Sequence, residues 1–175
     1  MQKPFVLTLT GPDGVGVVKK LTEVLLEHKG NVEASRMAHL GGEFAVLMLV
    51  SMPAETFLSL EKDLGELTKD GYKLTLSLTE EAPAELRAGW LPYQIKVHGA
   101  DQEGIIHEVA RYLAQHDINI ESVDTITRPA PHSGTPFFTM TALVLVPPSL
   151  AGQDWSDGLD EVGDRLDVDI EASAV

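Results

Sequence analysis

The chain contains no cysteine. Disulfides, thiolate nucleophiles and cysteine-ligated zinc are therefore excluded. Basic residues are scarce: 13 Lys and Arg stand against 27 Asp and Glu, a formal net charge of -14. Nucleic-acid binders carry a basic stripe. The nearest thing here is the pair Lys19 and Lys20, too small to follow a phosphate backbone, so no direct nucleic-acid contact is expected. Long hydrophobic runs are missing as well. Phe44 to Val50 is the longest, far short of the roughly 20 residues of a membrane-spanning helix. The chain enters a strand-like run, Phe5 to Leu9, with no basic-then-apolar leader before it. A cytoplasmic protein without membrane contact is the expectation.

Catalytic and metal-binding patterns are also lacking. His28 and His116 fall on apolar helical stripes, where a half-buried or dipole-favoured imidazole outweighs a metal ligand. His39, His98, His107 and His132 show no ligand spacing. Asp154, Asp157, Asp160, Glu161 and Asp164 read as a solvated helix face, since calcium-loop spacing is absent. No nucleophile elbow is present, and the glycine spacing does not match a dinucleotide fingerprint. The expectation is a protein that is not an enzyme and uses no cofactor.

What the chain does have is a repeat. Gly11, Asp13, Gly16, Leu25, His28, Asn31 and Glu33 recur as Gly99, Asp101, Gly104, Leu113, His116, Asn119 and Glu121, each pair 88 residues apart. Phe5, Leu7 and Leu9 return as Tyr93, Ile95 and Val97. Two copies in 175 residues imply two small domains: one at 1–80, a linker at 81–91 carrying Pro83 and Gly89, and a second at 92–175. Leu86 and Trp90 in the linker are expected to pack on a domain surface.

Each copy reads as strand, helix, strand, strand, helix, strand. Phe5, Leu7 and Leu9 alternate as a half-buried strand. The period then changes, and Val17, Val18, Leu21, Val24, Leu25 and His28 form a helical stripe that Gly30 is expected to close. Val32 to Leu40 is a second strand, Gly41 and Gly42 signal a hairpin, and Phe44 to Met52 is a central strand. Because Val46, Leu47, Met48, Leu49 and Val50 are all apolar, both faces of that strand are expected to be covered or partly covered. Pro53 opens a second helix with Phe57, Leu58, Leu60, Leu64 and Leu67 inward, and Leu74, Leu76 and Leu78 alternate as the last strand. The second copy matches: strands at 93–98, 119–128 and 137–146, helices at about 104–116 and 154–166, and a last strand around Val168 and Ile170. Phe44 corresponds to Phe138 at an offset of 94, so six residues are inserted in the second hairpin, Pro129 to Pro136. The order is the ferredoxin-like unit, an α+β fold.

The repeated loop is G-x-D-x-x-G, Gly11 to Gly16 and Gly99 to Gly104. Glycine permits close approach of a backbone or a ligand. The following helix offers free N–H groups and a positive dipole end, suited to a carboxylate. Asp13 and Asp101 can cap that helix or accept an ammonium. Such a loop could hold both ends of an amino-acid zwitterion. The candidate ligand-binding residues are Asp13, Gly14, Val15 and Gly16 with Asn31, and Asp101, Gln102, Glu103 and Gly104 with Asn119, each asparagine expected beside its loop. Glu103 would repel a carboxylate and could occupy the helix donors itself, so the first loop is favoured.

Strand, G-x-D-x-x-G, helix and then Gly30-Asn31-Val32 or Ile118-Asn119-Ile120 resembles the ACT domain, over nearly the whole chain as two units. The commonest ACT loop has Arg-Pro-Gly after the aspartate; here Gly14-Val15-Gly16 and Gln102-Glu103-Gly104 stand instead. The first unit is also similar to the N-terminal domain of formyltetrahydrofolate deformylases. The resemblance implies two tandem ACT domains, each an antiparallel four-stranded sheet with helices on one face. It further implies a non-enzymatic regulator that senses a small amino acid, such as glycine, and acts through a regulatory protein partner such as a transcription activator. Intimate contact of the two domains and a homodimer are expected. The other readings are a protein-interaction module without ligand and a trans-acting regulatory subunit of an amino-acid or one-carbon enzyme.

The charge balance makes a direct prediction. In a gel shift at physiological salt, the isolated protein forms no complex with duplex DNA; a sub-micromolar complex without any added protein would contradict it.

Overall fold

The computed structural model describes residues 2–79, 87–131 and 134–175. The chain divides into two compact units, Met1–Pro83 and Ala84–Val175. Most of the expected linker, Leu86 included, lies outside the described residues; its last position, Leu91, already belongs to the second unit's first strand. Trp90 is half-buried, with the Arg87 guanidinium 6.0 Å from its ring centroid.

In the first unit β1 (Gln2–Pro12) leads through the loop to α1 (Val17–Glu27), β2 (Asn31–Leu40), β3 (Glu43–Pro53), α2 (Phe57–Leu64) and β4 (Lys73–Leu78). The second runs β5 (Leu91–Ala100), α3 (Ile105–Gln115), β6 (Asn119–Pro129), β7 (Pro136–Val146), α4 (Asp157–Leu166) and β8 (Val168–Ala174). The sheets are ordered β2-β3-β1-β4 and β6-β7-β5-β8, with every pairing antiparallel. The βαββαβ order of the sequence therefore appears twice, as two ferredoxin-like units.

Each core follows from the two periodicities. Phe5, Leu7 and Leu9 on β1 and Val46, Met48 and Val50 on β3 are buried against Leu21 and Leu25 of α1. Ile95, Val97, Met140, Ala142 and Val144 do the same under Val109 and Leu113 in the second unit. Each fully buried aliphatic side chain contributes about 1.5–3 kcal/mol. Gly158 lets α4 approach α3: a Cβ there would lie 2.5–2.8 Å from the Tyr112 ring. The Tyr112 hydroxyl donates to the Trp155 carbonyl, and burial pushes its pKa up. At Gly41 and Gly42, φ is 59° and 89°, the mirror-image turn that a two-residue hairpin needs.

Several expectations need correction. Gly30 does not supply the left-handed residue after α1; Lys29 does, with φ 59°, as Asp117 does after α3. Gly30 instead makes room, since a Cβ would meet the Leu25 carbonyl at 3.0 Å. Leu58 is 78% exposed, because α2 ends at Leu64 and turns only Leu60 and Leu64 fully inward. Val18 lies at the edge of its stripe and is exposed. On β3 one face is buried, and the other is partly covered, with Leu49 half-buried and Leu47 48% exposed.

The end of each first strand is closely packed against backbone. A Cβ on Gly11 would lie 2.6 Å from Tyr72 Cδ1 and 3.0 Å from its Cα; on Gly99, 2.7 Å from Val168 Cγ1 and 3.0 Å from its Cα. Backbone cannot give way as a flexible side chain can. Gly11→Ala and Gly99→Ala should each lower stability by about 1–3 kcal/mol in denaturant titration, whereas an unchanged midpoint would show that the strand end has slack.

Candidate functional site

The two repeated loops follow β1 and β5 and open α1 and α3. The N-cap of each helix is the last glycine of the motif, Gly16 with φ 97° and Gly104 with φ 96°. A side chain would be strained at such a φ, although no atom lies within 4 Å of either Cβ position. The motif's glycines thus have two structural duties. The first allows a close backbone approach and the last turns the chain into the helix.

Neither helix has a side-chain cap. Asp13 and Asp101 therefore do not cap, because the left-handed glycine takes that position. Both aspartates are exposed. Their backbone N–H groups are engaged, Asp13 donating to the Gly42 carbonyl at 3.1 Å and Asp101 to that of Pro136 at 3.0 Å. These bonds fasten each loop to the neighbouring hairpin and leave the carboxylates outside. Asp13 Oδ2 lies 3.9 Å from His39 Nε2, near enough for an ion pair when the imidazole is protonated. His39 was not among the sequence candidates. Counting from the Gly41-Gly42 turn places it opposite Phe44, whose other neighbour is Gly11; that register was the available signal.

Within the first turn, Val17 N–H reaches the Gly14 carbonyl at 3.4 Å and Lys20 N–H the Gly16 carbonyl at 2.9 Å. The N–H groups of Val18 and Lys19 between them are those a helix start leaves free. Val15 stands fully in solvent at the loop tip. In the second unit Gln102 Nε2 donates to the Leu166 carbonyl and braces the loop against the end of α4. Glu103 is exposed and, among the described residues, does not bond the helix amides; the expected self-occupation of those donors is not seen. One turn into α3, Glu108 accepts from Arg111 at 2.6 Å and Arg165 at 3.1 Å. The Arg111 hydrogen bond, reinforced by the charges of Arg111 and Arg165, lowers the Glu108 pKa.

Asn31 and Asn119 are not beside these loops. Asn31 pairs with Ser51, and Ser51 with Pro4, whereas the loop follows Pro12. Eight residues of strand separate the two levels, about 26 Å. Asn119 likewise stands level with Leu145 and Pro92, at the far end from Asp101. There its Oδ1 accepts from Arg87 at 2.9 Å and its Nδ2 donates to Glu121 at 2.5 Å. The reason is helix length. A helix of 11 residues carries the chain about 16 Å back along the sheet before the next strand starts.

The histidines that close α1 and α3 have structural partners. His28 lies between Asp63 Oδ2 at 2.8 Å and Ser59 Oγ at 3.2 Å, and His116 contacts the Tyr112 carbonyl and stacks on its ring. Among the described residues no group of three His, Asp or Glu side chains could hold a metal ion, and no helix is long and apolar enough to cross a membrane.

Comparison with known proteins agrees with this geometry. The ACT domain model matches residues 3–78. The glycine cleavage system transcriptional repressor of Escherichia coli (strain K12) is 28% identical over 131 residues, 74% of this chain and 67% of that protein. UPF0237 protein MK1213 of Methanopyrus kandleri is 38% identical over 69 residues, 39% of this chain and 76% of that protein. A solved structure of an unknown protein from Galdieria sulphuraria superposes with a TM-score of 0.86 at 32% identity, covering 100% of this chain and 99% of that one. With the repeated loop and the twice-built βαββαβ sheet, these likenesses identify the first unit as an ACT domain and the second as a repeat of the same ferredoxin-like fold.

Proposed function

We propose that this protein is a non-enzymatic regulator that senses a small amino acid, glycine first among them, and acts by binding another protein. The observation that carries the reading is the uncapped start of α1. Free N–H groups at Val18 and Lys19 suit a carboxylate, and the exposed Asp13 carboxylate in the loop before them suits an ammonium. The likeness to a glycine cleavage system transcriptional repressor supports a regulatory role and makes glycine the first ligand to test. The first loop is the better candidate. Its Gly14-Val15-Gly16 carries no charge, while the second has Glu103 and a Gln102 already committed to Leu166.

The loop is open to water, so a ligand held there gains most when a second surface covers it and lowers the local dielectric. That requirement links sensing to association: a ligand bound more tightly in the covered state shifts the equilibrium toward it. A homodimer is one cover, and the exposed Leu47 on β3 is consistent with a self-contact. A regulatory protein such as a transcription activator is the other cover, and the net charge of -14 makes a protein a better partner than DNA.

One observation favours a second reading, a protein-interaction module without ligand. The four glycines of the repeated motif are explained by the fold, through close approach at Gly11 and Gly99 and left-handed turns at Gly16 and Gly104. Only the aspartates then separate the readings. Asp13→Ala should weaken glycine binding in calorimetric titration by about tenfold or more, the worth of a lost charge-assisted hydrogen bond, and Asp101→Ala should do less. Since neither aspartate caps its helix, melting should be little changed. Wild-type protein that binds no glycine or serine at millimolar concentration would favour the ligand-free module.

A further inference from the structure

The second unit has a feature that the first lacks. Where β2 and β3 join through Gly41 and Gly42, β6 and β7 are joined by a longer hairpin. Its described residues Pro129, Ala130 and Pro131, with Ile126, Arg128, Phe137 and Thr139 from the two strands, line a cavity of about 540 Å³. The strand register explains the grouping. Arg128 is paired with Phe137 and Ile126 with Thr139, so the four side chains fall on one face of the sheet. Phe137 is in turn paired with Ala100, at the end of β5. This is the face opposite Phe138 and Met140, which are buried in the core.

The volume falls within the ordinary range for small-molecule sites. Its lining residues are apolar except for Arg128 and Thr139. Arg128 is unusual for this chain. Arg87, Arg111 and Arg165 are ion-paired and Arg36 donates to the Ser35 carbonyl. Arg128 has no such partner among the described residues, although acids outnumber bases two to one. An unpaired guanidinium on the wall of an apolar cavity is complementary to a ligand with an apolar or aromatic body and one carboxylate. Pro129 and Pro131 each fix their own φ, which lowers the entropy lost on binding at those positions.

We infer that the cavity at the β6–β7 hairpin is a small-molecule site for an apolar monocarboxylate, with Arg128 binding the carboxylate and Ile126, Pro129 and Phe137 holding the body. The site shares no lining residue with the repeated loops, although Asp101 N–H joins the second loop to the same hairpin at Pro136, and it stands whether or not the first loop binds an amino acid. The test uses the full chain labelled with ¹⁵N and the probe 3-phenylpropionate, with neutral 3-phenylpropan-1-ol as control. Amide shifts from the acid should concentrate at 126–131 and 137–139. Arg128→Gln should weaken the acid by about tenfold while leaving the alcohol unchanged, and Ile126→Glu should remove binding of the acid. Asp13→Ala should leave all of it intact. Both substituted side chains are exposed, and amide spectra without ligand establish that each variant is folded. Absence of shifts in this region up to about 10 mM acid, or equal affinity in wild type and Arg128→Gln, would overturn the inference.

Discussion

At the end of the first strand in each unit there is no room for a side chain. Gly11 lies against the backbone of Tyr72 and Gly99 against that of Val168, so the start of the last strand is drawn onto the strand that feeds the loop. The rest of the loop follows from this contact. The next residues are bonded to the neighbouring hairpin through Asp13 and Asp101 N–H, and the final glycine reverses into the helix with a positive φ. A helix started by glycine has no side-chain cap, so its first amides stay available. The packing constraint and the candidate anion site are two results of one arrangement.

The two copies keep the constraint and differ in what surrounds it. The first loop is small and uncharged, and its aspartate faces His39. The second is braced by Gln102, flanked by the Glu108–Arg111–Arg165 cluster and lengthened at its hairpin. Position 39 corresponds to Thr127 in the second copy, so the imidazole has no counterpart there. Retained scaffolding with altered surroundings fits a division of labour, in which one unit keeps the loop chemistry and the other gains a separate cavity.

Much of this was legible in the sequence, because the repeat fixed the element order twice and alternation identified the buried faces of β1 and β5. The Gly41-Gly42 hairpin was legible because its turn demands positive φ. What escaped was distance along the sheet. Asn31 stands only three residues beyond His28, yet α1 has already carried the chain to the opposite end from Asp13. Leu58 and Val18 escaped because a helical stripe is wider on paper than the surface a short helix covers. Lys29 took the left-handed position because the Gly30 site was needed for clearance. The cavity at the hairpin was legible only as an insertion; its shape depends on prolines whose direction no periodicity encodes.

The proposed binding of an amino-acid zwitterion at the uncapped start of α1, with Asp13 in the loop before it, can be read in an amide correlation spectrum of the full chain titrated with glycine. Saturable shifts should centre on Asp13 to Lys20, with weaker or no shifts at Asp101 to Glu108. Spectra that stay unchanged through about 10 mM glycine, or that move only away from the first loop, would contradict it.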